Sequence, residues 1–582
     1  MSYIEQINSP EDIKHLSNEQ LQILAAEIRN AILNRNSILG GHVGPNLGIV
    51  ETTIALHYVF NSPKDKIIWD VSHQCYAHKI LTGRKEGFLS SSDMNKISGY
   101  TNQDENEHDF FKVGHTSTSV SLACGLAKAR DLQQQNHNVI AVLGDGSLSG
   151  GEALEGLSNA AVLGSNIIII LNDNEMSIAE NHGGLYTNLR LLRETKGTAE
   201  CNLFKALGFE YCYVEDGNSI ADMINVLQQH KDTNKPTLIH IRTLKGKGYQ
   251  PAETQKETWH WSLPFNITDG SIKNKFTGEN YNDLTYNYLS NKIKQDKSVV
   301  IVNAGTPGVF GLTPDRRAEL GDNFVDVGIA EEHAVAFSSA LAKGGCKPVY
   351  MVMSSFVQRT YDQLSQDLAL NNNSAVILVA WGGISSADMT HLCTFDISLI
   401  SNIPNIVYLA PTNAEEYMAM LEWAVEQKNH SVVIRMPKTV IHSNTNIDKD
   451  YSKLNTYKIE QQGKDVAIIA AGSFFELGQN VVNEFTKHGI IPTLINPRYL
   501  SGIDQECLNN LKNNHSLIIT LEDGELDGGF GEKITRFYGN DKMKVLNFGS
   551  FKEFTDRIPL DVLYQKYHLM PELVVVDALK LM

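Results

Sequence analysis

A run of five aliphatic residues, IIIIL at 167–171, constrains the fold more than any other feature of the chain. A continuous apolar run of this length predicts a strand buried on both faces, as in a parallel sheet covered by helices. Similar segments alternate with helix-like stretches such as 151–161, and they lie at 139–143, 237–241, 298–302, 349–353, 375–379, 432–435 and 465–470. The alternation predicts an α/β fold with doubly wound parallel sheets.

Two polar segments, 269–279 and 442–464, interrupt this alternation and are candidate linkers. A chain of 582 residues suits three or four domains. We therefore predict three α/β domains, at residues 1–269, 280–440 and 464–582.

The composition excludes several classes of protein. A net charge of −17 argues against nucleic acid or an anionic membrane as a partner, because both select a basic face. The seven cysteines are scattered without a CxxC pair, which predicts reduced thiols. The N-terminus lacks a basic segment followed by an apolar one, and no apolar run is long enough to span a bilayer. We therefore expect a cytoplasmic protein.

Two short polar motifs follow predicted strands, GDG at 144–146 and NDN at 172–174. The carboxyl ends of parallel strands share one sheet edge, where ligands of α/β proteins bind. Glycine lets the backbone approach a phosphate, and the start of a following helix favours an anion. Mg²⁺ takes oxygen ligands and is commonly shared with a diphosphate. We predict that the Asp145 carboxylate, the Asn174 amide oxygen and the Met176 backbone carbonyl bind Mg²⁺.

A GDG run by itself is a simple turn at about even odds. The NDN motif after an aliphatic strand lowers that alternative to roughly one in ten. A third motif, GIAE at 328–331, brings a carboxylate, Glu331, to the end of another predicted strand. Together the three motifs predict a site for thiamine diphosphate and Mg²⁺.

Longer and more specific motifs cover nearly the whole chain. They are HVGPNLG at 42–48, WDVSHQ at 69–74, HKILTGR at 78–84, GHTSTS at 114–119, KGKGYQPAE at 245–253, DVGIAEEHAV at 326–335, QRTYDQ at 358–363, TLEDG at 520–524 and GGFG at 528–531. With these motifs the chain resembles the 1-deoxy-D-xylulose 5-phosphate synthase family. The resemblance implies a transketolase-like architecture, in which the first domain binds the diphosphate, the second binds the aminopyrimidine and the third supports a homodimer.

The resemblance also implies a reaction. The family decarboxylates pyruvate and joins the two-carbon unit to a phosphorylated aldehyde, D-glyceraldehyde 3-phosphate, using thiamine diphosphate and Mg²⁺. The product, 1-deoxy-D-xylulose 5-phosphate, is a precursor of isoprenoids, thiamine and pyridoxal. We accordingly expect a transferase of aldehyde or ketone residues.

By the same resemblance, Glu331 is the carboxyl that activates the cofactor at its pyrimidine nitrogen. This role is general acid–base catalysis, and burial would assist it by raising the pKa of the carboxyl. His42 and His260 are implied to face the reacting centre, and His391, also expected to be catalytic, matches the family's acceptor-binding histidine. The alternative for Glu331 is a solvated carboxylate at a helix start, and a lone histidine is ordinarily a surface or core residue. The surrounding motifs outweigh both alternatives.

The resemblance further implies a set of cofactor contacts. Phe356 matches an aromatic that stacks on the pyrimidine, and Ile178 matches a residue that supports the cofactor's bent conformation, although both are also ordinary core residue types. The full set is His73, Gly114, His115, Thr116, Gly146, Ser147, Asn174, Ile178, Lys245 and Phe356.

The acceptor side departs from the family pattern. Arg359, Asp388 and Arg435 match substrate-binding residues, but Met353 stands where the family has a tyrosine and Trp381 where it has a phosphate-binding arginine. The loop after Trp381 is also one residue short. Losing one arginine and one hydroxyl weakens phosphate binding by about two to three orders of magnitude. An acceptor other than D-glyceraldehyde 3-phosphate is therefore an open alternative.

Other functions also stay open at this stage. They are a transketolase-like or synthase-like paralogue with another donor or acceptor, a binding or regulatory homologue without catalysis, and one subunit of a heteromeric 2-oxo-acid dehydrogenase. Retention of Glu331 and the metal ligands argues against a non-catalytic homologue. Two cofactor-binding domains in one chain argue against a heteromeric subunit. The connection 185–200 is shorter than the family's mobile segment. Long loops beside active sites often act as lids, so the short connection argues against a lid of the family's kind.

Overall fold

The computed structural model describes residues 2–275, 277–444 and 446–582. Met1, the first residue of the first predicted domain, lies outside the described residues, as do Phe276 and Thr445 in the two predicted linkers. The chain forms two compact units. One comprises residues up to 277 with 328–330, and the other comprises residues 278–327 with 331–582.

The first unit is built on a parallel five-stranded sheet in the order β2-β3-β4-β6-β5, with a separate antiparallel pair, β1-β7. Alternate residues of β4 enter two different hydrophobic clusters, Ile168 and Ile170 on one face and Ile169 and Leu171 on the other. The aliphatic run is thus buried on both faces, which confirms the predicted parallel strand. The strands are β1 Gly41–His42, β2 Lys66–Trp69, β3 Val139–Gly144, β4 Ile168–Asp173, β5 Glu210–Val214, β6 Thr237–Arg242 and β7 Trp261–Ser262.

The helices of the first unit follow local sequence signals, as the longest one shows. Its N-terminal cap is Ser17, whose side chain accepts a hydrogen bond from the backbone N–H of Gln20, and it ends at Gly40 with φ of 76°. The α-helices of this unit are Tyr3–Gln6, Asn18–Leu39, Gly44–Gly48, Val50–Val59, Tyr76–Lys79, Glu86–Leu89, Ser119–Leu132, Gly151–Val162, Gly184–Glu194, Leu203–Leu207, Ile220–His230 and Gln250–Thr254.

The second unit holds two sheets. The first is parallel, with six strands in the order β12-β13-β11-β10-β8-β9, and its alternate residues again enter two clusters. The strands are β8 Val299–Asn303, β9 Phe324–Asp326, β10 Lys347–Met353, β11 Val376–Ala380, β12 Ile406–Leu409 and β13 Ser431–Arg435. The helices are Tyr281–Gln295, Pro314–Leu320, Glu331–Lys343, Ser354–Val357, Asp396–Ile400 and Ala414–Glu426.

The second sheet of this unit has five strands in the order β14-β16-β15-β17-β18. Only the β14-β16 pairing in this sheet is antiparallel, within the described residues. The strands are β14 Lys458–Gln461, β15 Asp465–Ala470, β16 Thr493–Asn496, β17 His515–Glu525 and β18 Lys544–Ser550. The helices are Phe475–Lys487, Gln505–Leu511, Phe530–Tyr538, Leu560–Lys566 and Pro571–Leu579.

These three sheets confirm the predicted fold class. Every aliphatic segment singled out in the sequence lies in a strand, with ends that differ from the prediction by at most two residues. All seven cysteines are free. No helix among the described residues has both the length and the apolarity of a membrane span.

Candidate functional site

The predicted site residues fall into the two compact units, and each group is described by itself. The first unit holds His42, His73, Gly114, His115, Thr116, Asp145, Gly146, Ser147, Asn174, Met176, Ile178, Lys245 and His260. The second unit holds Glu331, Phe356, Arg359, Asp388, His391 and Arg435.

In the first unit, Asp145 lies just past the carboxyl end of β3 and is only 1% exposed. Burial, together with the nearby Asp173 carboxylate, raises its pKa to about 8. Asp173 is itself engaged by His240 Nε2 at 2.8 Å and Arg193 Nη1 at 2.6 Å. Asp145 therefore sits in a buried, anionic environment that a divalent cation would neutralise.

The neighbouring Asn174 and Gly146 fit a metal and a phosphate. Asn174 Oδ1 is buried without a hydrogen-bond partner among the residues that the structure describes. A Cβ atom added to Gly146 would lie 2.8 Å from Ser177 Oγ, so the turn requires glycine. A buried carboxylate and a buried, unsatisfied amide oxygen are the donors that Mg²⁺ selects, so these residues fit the predicted ion.

A tyrosine that we did not predict closes this turn. Tyr186 Oη donates to the carbonyl oxygen of Asp145 at 3.0 Å and to that of Gly146 at 3.3 Å. Tyr186 lies on the helix Gly184–Glu194, which occupies most of the connection predicted to be compact. The short connection thus packs directly on the GDG turn.

A carboxylate to which the sequence assigned no role anchors the segment that follows Gly114, His115 and Thr116. Asp70, at the end of β2, accepts the backbone N–H of Ser117 at 2.8 Å and that of Ser119 at 3.0 Å. The next helix, Ser119–Leu132, starts there. The hydroxyls of Thr118 and Ser119 are buried without hydrogen-bond partners within the described part of the chain. A helix start with unsatisfied donors is suited to an anion such as a diphosphate.

Three predicted histidines form one cluster in the first unit. The ring centroids of His42, His73 and His260 lie 5.1 to 5.5 Å apart. Lys245 Nζ lies 3.2 Å from His260 Nδ1 and donates to the Ser177 carbonyl at 2.5 Å. Burial lowers the pKa of His260 well below its usual value, and it lowers that of Lys245 to about 7. The cluster therefore offers the neutral imidazole of His260 beside an amine that loses its proton near neutrality.

In the second unit, Glu331 is the first residue of the helix Glu331–Lys343 and is 3% exposed. Burial raises its pKa to about 7, although the Arg359 guanidinium opposes the shift from 3.9 Å. Glu331 Oε2 is buried and makes no hydrogen bond to the described residues. A carboxyl in this state can hold or release a proton near neutral pH.

Phe356 lies on the short helix Ser354–Val357, one turn before Arg359. Its ring meets the ring of His391 edge to face, with centroids 5.9 Å apart. His391 belongs to a turn capped by Asp388, and burial lowers its pKa to about 4, so it is neutral at physiological pH. Phe356 is thus brought against His391, and Arg359, three residues further along the chain, lies beside Glu331.

Arg435 lies at the end of β13 and is 5% exposed. Its guanidinium donates to Asp396 at 2.6 and 3.2 Å and to the Asp523 carbonyl at 2.7 Å. A second cation, which the sequence reasoning missed, is Lys438, whose Nζ donates to the Ile384 carbonyl at 2.9 Å. Lys438 is about one-third exposed, so it is the more accessible cation of the two.

The segment 381–383, which follows β11, passes directly over Arg435 and Asp523. Trp381 has φ of 67° and is 59% exposed. A Cβ atom added to Gly383 would lie 2.0 Å from Asp523 Oδ2, and one added to Gly382 would lie 2.7 Å from Arg435 Nε. The two glycines are therefore required for this close approach.

Comparison with known proteins places the chain in a family. A family model described as 1-deoxy-D-xylulose-5-phosphate synthase matches residues 4–202 and 191–243. Models described as the pyrimidine binding domain and the C-terminal domain of transketolase match residues 280–442 and 455–574.

Three curated relatives carry the name 1-deoxy-D-xylulose-5-phosphate synthase. The protein from Halothermothrix orenii is 37% identical over 99% of this chain and 97% of its own length. The protein from Caldanaerobacter subterraneus subsp. tengcongensis is 38% identical over 97% of both chains. The protein from Clostridium tetani is 37% identical over 98% of both chains. With this identity along nearly its whole length, the chain belongs to the 1-deoxy-D-xylulose-5-phosphate synthase family of transketolase-like enzymes.

Proposed function

We propose that this chain is a thiamine-diphosphate-dependent 1-deoxy-D-xylulose 5-phosphate synthase, which decarboxylates pyruvate and joins the two-carbon unit to D-glyceraldehyde 3-phosphate. The observation that carries the proposal is the buried Glu331 carboxyl, with a pKa of about 7, in a domain that matches the pyrimidine-binding model. The named relatives support this reaction, and none of them supports another donor or acceptor.

Thiamine diphosphate, when bound, supplies a carbon nucleophile and an electron sink. Asp145, Asn174 and the Met176 carbonyl would hold Mg²⁺, which neutralises the buried Asp145 carboxylate. The diphosphate would lie against Gly146, Ser147, the loop Gly114 to Thr116 and the start of the helix Ser119–Leu132. His73, Ile178 and Lys245 complete the proposed cofactor contacts in the first unit.

Glu331 would donate a proton from Oε2 to the pyrimidine nitrogen and later accept that proton again. A pKa near 7 allows both states at neutral pH, which is the condition for efficient general acid–base catalysis. Phe356 would supply the aromatic face for the pyrimidine. Arg359 adjusts the proton affinity of Glu331 through its charge.

The neutral histidines would handle protons at the reacting carbonyls. Burial keeps His260 and His391 unprotonated, so both can accept a proton or a hydrogen bond from a substrate hydroxyl. His42 lies within the same cluster as His260, with ring centroids 5.5 Å apart.

We propose Lys438 as the cation that binds the acceptor phosphate, in place of the arginine replaced by Trp381. A phosphate contact by Arg435 stays a prediction, and its guanidinium is engaged by Asp396 and Asp523. Lys438 is more accessible and lies against the same loop. A role of Asp388 in substrate binding likewise stays a prediction.

The assembly and location of the protein are part of the proposal. Resemblance of the third domain to the transketolase C-terminal domain supports a homodimer, which light scattering of the purified protein would test. Localisation in the cytoplasm stays a prediction.

The proposed function is tested by a coupled assay with Mg²⁺, thiamine diphosphate, pyruvate and D-glyceraldehyde 3-phosphate. We expect acceptor-dependent release of CO₂, formation of 1-deoxy-D-xylulose 5-phosphate, and loss of both in Glu331→Gln. If protein shown to hold the cofactor releases no CO₂ and forms no such sugar, the proposed function is wrong.

A further inference from the structure

The turn Met389–His391 holds its shape through local hydrogen bonds. Asp388 Oδ1 accepts the backbone N–H of Thr390 at 3.0 Å and its hydroxyl at 2.9 Å. Thr390 Oγ1 lies 2.9 Å from His391 Nδ1. The residues of this turn are partly rather than fully buried, so packing of its own side chains does not by itself fix its position. Its internal bonds set the conformation of the turn, but its position depends on what surrounds it.

The segment that surrounds this turn comes from the C-terminal part of the same compact unit. Arg557 donates its backbone N–H to the Ala387 carbonyl at 2.9 Å. Asp556 Oδ1 accepts the backbone N–H of Met389 at 3.3 Å. These two bonds flank Asp388 on both sides. They attach the turn to a segment 165 or more residues further along the chain.

The backbone and charge of this pair are unusual for an exposed loop. Arg557 has φ of 50°, a left-handed conformation that costs a non-glycine residue free energy. Its Nη2 lies 2.9 Å from Asp556 Oδ2. Burial raises the pKa of Asp556, but the hydrogen bond and charge of Arg557, the backbone N–H of Met389 and the Asp388 side chain together outweigh burial, and the pKa ends below its usual value. Asp556 is therefore a carboxylate at neutral pH, and a good acceptor for the N–H of Met389.

The position of this turn matters because His391 touches Phe356, the residue proposed to contact the pyrimidine. A shift of the turn would move His391 relative to the place where the acceptor aldehyde must arrive. Displacements of about 1 Å near a reacting centre can cost about a hundred-fold in rate.

We propose that Asp556, oriented by Arg557, is a positioning residue for the acceptor, which acts by holding Asp388 and His391 in place. This inference rests on the proposed function. It assigns part of the acceptor specificity to the third predicted domain, which contributes no proposed cofactor ligand. The donor step, in which pyruvate is bound and decarboxylated, is independent of the pair.

The test compares four variants of the full-length holoenzyme. Asp556→Ala removes the acceptor of the Met389 N–H, whereas Asp556→Asn keeps an oxygen there. Arg557→Gly removes the guanidinium but retains the backbone N–H and relieves the left-handed strain. Asp527→Ala is the matched control, because Asp527 is an exposed carboxylate that pairs with Lys552 at 3.7 Å.

For Asp556→Ala we expect KM to rise about ten-fold for both D-glyceraldehyde 3-phosphate and unphosphorylated D-glyceraldehyde, as for one lost hydrogen bond. The KM for pyruvate should stay unchanged. The acceptor KM of Asp556→Asn should return most of the way to the wild-type value, and that of Arg557→Gly should lie between the wild-type and Asp556→Ala values. An unchanged acceptor KM in Asp556→Ala overturns the inference. So does a loss confined to the phosphorylated acceptor, because that result assigns a direct phosphate contact. If the wild-type protein forms no sugar product, the proposed function fails instead, and the two failures are thereby distinguished.

Discussion

Removing the positive charge of Arg359 should raise the pKa of Glu331 and shift the pH dependence of the enzyme. The two side chains are 16% and 4% exposed, and Arg359 Nη1 lies 3.9 Å from Glu331 Oε2. Two unit charges at this distance attract by about 4 kcal/mol at an effective dielectric constant of about 20. That corresponds to about 3 pKa units as an upper limit, and measured effects of such neighbours are about 1–3 units.

The perturbation is Arg359→Gln, with Arg359→Lys as the control that keeps the charge. Loss of the cation disfavours the carboxylate, so the pKa of Glu331 should rise from about 7 toward roughly 8–10. The direct readout is the infrared band of the protonated carboxyl, followed against pH and identified by its absence in Glu331→Gln. The functional readout is kcat/KM for pyruvate, whose pH profile should shift in the same direction.

Two results would refute this reasoning. One is a Glu331 pKa in Arg359→Gln that equals the wild-type value, which would mean that solvent already screens the pair. The other is a fall in that pKa, which would mean that Arg359 acts by excluding water rather than by its charge. A similar shift in Arg359→Lys would show that geometry, not charge, is responsible.

Three further outcomes follow from the structure. Asn174→Ala should weaken Mg²⁺ binding by about ten-fold or more, measured with Mn²⁺ as a paramagnetic substitute, and unchanged affinity would exclude Asn174 as a ligand. Lys438→Met should raise KM for D-glyceraldehyde 3-phosphate by about 10- to 100-fold and leave KM for pyruvate unchanged; equal KM in variant and wild type would remove Lys438 from the phosphate site. Burial lowers the pKa of His57, His78 and His108, to about 4 for His108, so the folded state binds protons less readily than the unfolded chain. The contribution of these neutral histidines to the free energy of unfolding is fully present above about pH 6.5 and is lost as the pH falls toward about 4. Urea unfolding midpoints at several pH values would show this loss, and the midpoint of His108→Gln should fall less steeply with pH.

Sequence patterns predicted the elements of the fold well because those patterns are local. The run 167–171 predicts a buried parallel strand by its apolarity alone, and β4 confirms it. Glycine at 146 was expected for close approach of the backbone to a phosphate, which stays a prediction, and the structure adds a separate reason for glycine because a Cβ would meet Ser177. His42 and His260, predicted to face the reacting centre, do lie together, and His73, predicted as a cofactor contact, shares their cluster at ring separations of 5.1 to 5.5 Å. His391 belongs to the other compact unit.

Side chains that act across the fold could not be predicted in the same way. Tyr186 closes the GDG turn from a helix some 40 residues away, and nothing in its local sequence marks it. Asp70 was visible in a motif, but its two backbone hydrogen bonds to the loop after Gly114 were not. The resemblance assigned Arg435 to substrate binding, but it could not show that Asp396 and the Asp523 carbonyl accept hydrogen bonds from its guanidinium.

By itself, the amino-acid sequence determined the α/β class, the family, and the residue types that meet at strand ends, since apolar periodicity and motif spacing are properties of neighbouring residues. Only the tertiary structure decided the protonation of Asp145, Glu331, Lys245 and His260, because burial and the charges that oppose it come from distant segments. It also decided which cations stay accessible and which segment holds the turn Met389–His391. These depend on contacts between elements that lie far apart in sequence, and no local pattern encodes such contacts.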